Sequence, residues 1–271
     1  MLAVMEYHEF APGPAQRSLV RCFWQLAGDG ASDGAEPALP DGSPELIFNL
    51  GDSFDQLESD GRAVRQPSAF LVGQITRPMR VRPTGRSDLI AVRFEPYGAA
   101  ILHDQMAELT DRWLGIHSLR NGVLLPIAEQ LAATASPSER VAILDAAIAT
   151  LAAMRPPSDS RVVAAVEEIQ AAHGNLRCDG LALTLGLTSR SLQRLFARDV
   201  GISPKLLARI ARFQRVFSAR RDDPGSFARV AAQCGYVDQS HLVRDFRDFA
   251  GVPPAELLAA LPELTGFWLS R

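Results

Sequence analysis

Five residues in the C-terminal half of this chain of 271 occur twice in the same order. Gly186, Leu192, Phe196, Gly201 and Pro204 return as Gly235, Leu242, Phe246, Gly251 and Pro254. The first pair is offset by 49 residues and the other four by 50. In each copy a short apolar run ends at the first glycine, and a longer amphipathic run ends at the second. Two short helices joined by a glycine-containing turn are the signature of a helix-turn-helix. Thr188 and Asp238 stand where a second helix is capped. Leu187 before Leu192, and Val237 before Leu242, are predicted hydrophobic staples.

With the caps fixed, helical phase separates two faces. Leu192, Leu195 and Phe196 point inward in the first copy, as Leu242, Phe246 and Phe249 do in the second. The opposite face presents Arg190, Gln193 and Arg194, matched position for position by Ser240, Val243 and Arg244. Arg and Gln side chains grip guanine and adenine edges bidentately in the major groove. The first two turns of a recognition helix are where such contacts are made. Ile202-Ser203-Pro204 opens a further helix, predicted to run to about Ala219 and so to be roughly 24 Å long. A rod of that length could set two recognition helices into adjacent major-groove faces, which lie about 34 Å apart. Asp222-Asp223-Pro224-Gly225 is the expected stop.

Charge agrees with a polyanionic partner. Residues 1–155 hold 13 basic and 19 acidic groups, whereas residues 156–271 hold 15 and 12. Within 188–221, nine basic residues face a single acid, Asp199. Such a patch is the electrostatic footprint of a nucleic-acid binder. The first copy lies inside it; the second, with Asp245 and Asp248 among its arginines, is near neutral. Base reading is therefore expected to be dominated by the first unit.

The N-terminal part reads as short strands at 17–26, 44–50, 68–72, 79–82 and 88–94, separated by Gly, Pro, Asp and Ser clusters. Many short strands with frequent turns suggest a small barrel or sandwich. From about Pro96 the pattern becomes helical. Ser136-Pro137-Ser138-Glu139 is a capping box with proline at the first helical position. The helix after it carries Val141, Leu144, Ile148 and Leu151 as a stripe at coiled-coil spacing, a candidate dimer seam or a face packed on the barrel. Pro156-Pro157 breaks it. The expected fold class is α+β: a strand-rich domain at 1–135, a spacer or dimerisation helix at 136–155, and an all-α module at 160–260. Residues 156–271 are expected to fold and bind DNA by themselves.

Over about 160–260 the chain resembles the AraC/XylS family of transcription regulators. The resemblance rests on Gly235-Tyr236-Val237-Asp238-Gln239-Ser240-His241-Leu242-Val243-Arg244-Asp245-Phe246, on Gly251-Val252-Pro253-Pro254, and on Leu192-Gln193-Arg194-Leu195-Phe196 with Gly201-Ile202-Ser203-Pro204. It implies two helix-turn-helix units joined by a long helix, double-stranded DNA as partner, and base-reading positions at Arg190, Gln193, Arg194, Gln239, Ser240 and Arg244. Pro40-Asp41-Gly42-Ser43-Pro44-Glu45-Leu46-Ile47-Phe48-Asn49-Leu50-Gly51 and Leu71-Val72-Gly73-Gln74 resemble a sensor domain of unknown function that precedes this module in other regulators, where it is a small cupin-like barrel.

A barrel of that kind could hold a small organic effector. Phe23, Trp24, Phe48, Phe70 and Phe94 lie on predicted strands, where alternation puts some of them inside. Glu45, Asn49, Gln74 and Arg93 could orient a ligand by hydrogen bonds. Trp24, Glu45, Phe48, Asn49 and Phe94 are the candidate effector residues; a solid aromatic core is the competing expectation. The alternative class is a cupin-type metal enzyme fused to a DNA-binding module. His8, His103 and His117 are too scattered to make a ligand set, no phosphate-binding loop or nucleophile elbow occurs, and neither catalytic residues nor a metal or cofactor is expected. Cys22, Cys178 and Cys234 form no close pair, no secretory leader is visible, and no run reaches 18 apolar residues. A cytoplasmic regulator without membrane contact is expected. RNA polymerase and a second copy of the chain are further candidate partners.

Overall fold

Alternation along one strand divides the N-terminal half into two environments. The structure is a computed structural model that describes residues 5–29, 34–119, 122–156, 158–222 and 226–260. A six-stranded antiparallel sheet runs in the order β1 (Met5–Phe10), β2 (Val20–Gly28), β9 (Ser87–Phe94), β4 (Glu45–Asn49), β7 (Ala69–Val72) and β10 (Trp113–Gly115). A four-stranded antiparallel sheet has the order β3 (Glu36–Ala38), β8 (Met79–Pro83), β5 (Phe54–Leu57) and β6 (Ala63–Arg65). On β9, Ile90, Val92 and Phe94 join a core with Phe23, Leu46, Phe48 and Leu71. Leu89 and Ala91 turn the other way, toward Trp24, Phe54 and Val81. One face of the large sheet is thus covered by helices and the other faces the small sheet across a cavity.

The five anticipated strands correspond to β2, β4, β7, β8 and β9. The strands β1, β3, β5, β6 and β10 were not anticipated from the sequence. β1 pairs only with β2 and exposes alternate side chains, so its polar composition hides it. The other four have three or four residues each, too few for period two to show.

The helical elements begin with α1 (Leu124–Ala133) and α2 (Pro137–Ala153). Ser136 caps α2 by accepting from the Glu139 amide, as the capping box requires. Its apolar stripe is not a free seam. Leu144 and Ile148 are fully buried and Leu151 nearly so, all within the core under the large sheet. Arg140 fastens the helix further: its guanidinium reaches both carboxylate oxygens of Asp88 on β9, at 2.8 and 3.2 Å. Thus α2 serves as a wall of the strand domain, with its stripe spent on that packing.

The C-terminal module comprises α3 (Ser160–Ala171), α4 (Cys178–Thr184), α5 (Ser189–Asp199), α6 (Pro204–Asp222), α7 (Phe227–Gln233), α8 (Gln239–Ala250) and α9 (Pro254–Ala260). Pro157 and residues 223–225, on which the expected boundary and helix stop partly rest, lie outside the described residues.

The two halves share a core. Leu39 and Tyr97 from the strand domain are buried with Phe196, Leu207, Ile210 and Phe213 of the module. Gln170 donates to Glu95 at 3.0 Å, Thr110 to the Gly201 carbonyl at 2.8 Å, and Gln214 to the Pro40 carbonyl at 2.5 Å. Between α2, ending at Ala153, and α3, starting at Ser160, the helices break, but packing does not stop there.

Candidate nucleic-acid interface and ligand cavity

Both predicted helix-turn-helix units form. In the first, α4 leads through Gly186, at φ +66°, into α5; in the second, α7 leads through Gly235, at φ +77°, into α8. Left-handed backbone at that point reverses the chain within the turn, and glycine adopts it without a Cβ clash. Thr188 accepts from the Ser191 amide at 3.1 Å, and Asp238 from the His241 amide at 2.7 Å, so both expected caps are made.

Burial then fixes the roll of each helix. Leu192 and Phe196 on α5, and Leu242, Phe246 and Phe249 on α8, are buried. Arg190, Gln193 and Arg194 are exposed on α5, and Gln239, Ser240 and Arg244 on α8. Among the described residues Arg190, Arg194 and Arg244 make no ion pair. The six positions therefore form two open polar faces of the kind that enters a groove.

The second staple does not form. Val237 is 89% exposed, while Tyr236 before it is buried. Tyr236 stacks edge-on to His241, 5.1 Å between ring centres, and lies under the Arg212 guanidinium. It takes the packing role assigned to Val237 and turns that residue outward.

Acidic groups are absorbed by structural pairs. Asp199 is buried and bound by Arg198 on α5. Arg209 on α6 donates to Asp245 and Asp248 of α8, at 2.7 and 2.6 Å. The positive charge of α5 and α6 is thus smaller than the count of basic residues implies, and the reading face of α8 is less acidic than its sequence. Beside α5, Arg177, Lys205 and Arg212 line a cleft of about 370 Å³ with Ser189, Ser203 and one carboxylate, Asp179. Three cations and two hydroxyls at one cleft suit phosphate oxygens.

A second concavity, of about 80 Å³, lies between the sheets. Trp24, Leu26, Ile47, Phe54, Phe70 and Val81 line its apolar part. At its polar end Glu45 accepts from the Trp24 indole at 3.0 Å and from Arg93 Nε at 2.7 Å. Arg93 is buried and also approaches Glu9 at 3.1 Å and Asp41 at 3.7 Å. Burial opposes its charge, but the Glu45 carboxylate and its other neighbours together more than offset this and hold the proton tighter than usual. Burial pushes the nearby Cys22 thiol up to about 11.

Of the candidate effector residues, Trp24 and Glu45 line this cavity. Phe48 and Phe94 do not: they belong to the core on the opposite face of the large sheet, because neighbouring strand residues point to opposite sides. Asn49 braces a turn, donating to the Asp52 carbonyl at 2.8 Å and accepting from the Gly51 amide at 3.0 Å. Gln74 donates to the Gly42 carbonyl at 2.9 Å. Phe23 also faces the helices. Asp41, Ser43 and Phe54 were missed; Asp41 and Glu45 flank Ser43-Pro44, and that polar cluster could have flagged the site. Among the described residues no group of three or more His, Cys, Asp or Glu side chains is arranged to hold a metal ion, and no helix is long and apolar enough to cross a membrane.

A strand domain with an internal cavity, joined through a shared core to paired helix-turn-helix units, defines a two-part protein with a helix-turn-helix module. Residues 181–260 match a family described as "Helix-turn-helix domain", and residues 8–114 a "Domain of unknown function (DUF6597)". The HTH-type transcriptional regulator GbdR of Pseudomonas aeruginosa is 30% identical over 78 residues, covering 29% of this chain and 21% of that protein. This chain therefore spans about a fifth of the curated relatives it matches. A structure of ToxT from Vibrio cholerae is similar over 95% of this chain and 98% of that one, at 10% identity and a TM-score of 0.47. The AraC-like transcriptional activator CuxR is similar over 89% and 85%, at 18% identity and a TM-score of 0.31.

Proposed function

We propose that this protein is a sequence-specific, DNA-binding transcription regulator whose strand domain senses a small organic molecule. The observation that carries the DNA reading is the pair of capped helices α5 and α8, each presenting an unpaired arginine on an exposed face. Arg190, Gln193 and Arg194 read one stretch of major groove, and Gln239, Ser240 and Arg244 another. The 19 residues of α6 make a rod of about 28 Å between the units. Arg177, Lys205 and Arg212 hold the phosphate backbone beside α5.

The sensing reading rests on how the cavity is walled. Leu39, Asp41 and Ser43 line it from one short loop. The same loop seats α6: the Pro40 carbonyl accepts from Gln214, and a Cβ on Gly42 would lie 2.9 Å from Leu207. A ligand that repositions this loop changes the platform under the helix that spaces the two reading heads. It regulates only to the extent that it prefers one arrangement of that platform.

Genome-wide footprinting of the full chain supplies the operator, and fluorescence anisotropy then measures affinity against salt. Each phosphate neutralised contributes about −0.9 to the log–log slope. A steep slope, together with loss of site preference in Arg194→Ala, is the expected result. Salt-insensitive binding, or none, would overturn the proposal.

A further inference from the structure

The cavity between the sheets has a polar end of net negative charge. Asp41, Glu45 and the guanidinium of Arg93 all line it, with Glu45 at 2.7 Å and Asp41 at 3.7 Å from Arg93, while the partly exposed Glu9 approaches Arg93 at 3.1 Å from outside the lining. The aromatic side chains of Trp24, Phe54 and Phe70 line the same cavity, Trp24 directly beside Glu45. Ser43 lines it too; it is 5% exposed, and its hydroxyl has no hydrogen-bond partner. A buried polar group left without a partner costs free energy, and a ligand atom in the cavity can supply one.

These features discriminate between ligand charges. A ligand carboxylate would be a fourth anion around one cation, and it would have to strip Arg93 from Glu45 while both are buried. A ligand cation meets carboxylates already in place, beside aromatic walls that attract positive charge through their ring faces. A volume of about 80 Å³ holds several waters or a group of a few heavy atoms, not a long chain.

We infer that the cavity binds a compact organic cation, an ammonium group bearing small apolar substituents. Glu45 and Asp41 face its charge, Trp24, Phe54 and Phe70 contact its apolar surface, and the Ser43 hydroxyl accepts from any N–H or O–H it carries. The inference rests on the sensor reading above and specifies the ligand class for it.

The test uses the full chain with three probes of similar shape and opposite or no charge: tetramethylammonium, neopentyl alcohol and pivalate, at matched ionic strength. Tetramethylammonium at ten times its Kd is expected to raise Tm by about 3 °C, with neopentyl alcohol weaker and pivalate inert. Glu45→Gln should abolish the response. Because Glu45 also braces Trp24 and Arg93, Asp41→Asn is the companion variant, expected to retain the fold and weaken the cation at least fivefold. Pivalate binding as tightly as tetramethylammonium would overturn the charge assignment and leave the sensor reading standing. Failure of tetramethylammonium would also overturn it, and a thermal screen of neutral and anionic metabolites on the same protein then decides the rest. Hits there sink only the cation class, whereas no hits sink the sensor reading as well.

Discussion

The guanidinium of Arg209 on α6 lies 2.7 Å from the carboxylate of Asp245 on α8, which is 1% exposed. One of the two acids that make α8 look neutral in sequence is therefore turned into the protein, where it pins α8 to α6, while Asp248, held by the same guanidinium, stays exposed. Arg244 and Arg247 remain on the outside. On this geometry we expect the two units to contribute more equally than charge alone implies.

Arg194→Ala and Arg244→Ala should thus cost comparable amounts at a specific site, about 1–3 kcal/mol each, and each should relax preference at one base position. Arg209→Ala should leave base preference unchanged and lower stability instead. Removing the partner of a buried carboxylate costs about 3 kcal/mol, the lower end applying because Arg209 is partly exposed. Anisotropy titrations and denaturant melts of the three variants separate these outcomes. An Arg244→Ala variant with undiminished affinity would mean that α8 does not read bases.

The buried stripe on α2 makes a second expectation concrete. Leu144 and Ile148 are each 0% exposed beneath the large sheet. Leu144→Glu would place a charge where no partner waits, and it should unfold the strand domain or cost more than about 4 kcal/mol. A well-folded Leu144→Glu protein that had merely changed its oligomeric state would instead mark the stripe as an interface.

Gly42 is the residue on which the cavity wall and α6 meet. Its φ of +80° is unfavourable for any side chain, and an added Cβ would press on Leu207 at 2.9 Å. Gly42→Ala should therefore lower stability by about 1 kcal/mol or more, roughly 2–4 °C in Tm, although the touched atom is the movable tip of a leucine. It should also change operator affinity, because the loop carries α6. Unchanged affinity alongside the lower Tm would show that the loop and the DNA-binding heads are not coupled.

The sequence was most informative where a pattern had two copies. The repeat of Gly186 and Gly235 with matching caps at Thr188 and Asp238 placed both units, and phase alone put Arg190, Arg194 and Arg244 outside. It was least informative where partners are distant along the chain. Asp245 meets Arg209 36 residues earlier, and Arg140 meets Asp88 52 residues earlier, so neither pairing leaves a local trace. The cavity was half legible for a related reason. Trp24 and Glu45 sit on the inner face, whereas Phe48 and Phe94 are one position out of phase, and a strand's register shows which is which only once the second sheet is in place. The shared core at Leu39 and Tyr97 was invisible, because a proline pair marks a break in the backbone and not in packing. If 156–271 stands alone, as expected from the sequence, it does so with that seam exposed.

The three tyrosines of the chain supply a spectroscopic check on all of this packing at once. Tyr7 lies at the cavity's polar end, Tyr97 in the core shared by the two halves, and Tyr236 under Arg212 in the second unit. Burial raises the ionisation of each, Tyr97 to about 12 with help from Glu95 and Glu167, the other two further. In the unfolded chain they titrate near pH 10. The native state therefore holds protons that the unfolded state releases, so the stability linked to these phenols is fully present below about pH 10 and is lost as pH rises toward 12 and beyond. Native protein should show no phenolate absorbance at pH 10, then gain the signal of all three tyrosines in one cooperative step that coincides with loss of helical circular dichroism. Tyr97→Phe, which cannot ionise, should move that step to higher pH provided the ring still fills its place. A gradual rise centred near pH 10, with the dichroism intact, would show that these residues are exposed and that the junction at Tyr97 is not closed in solution.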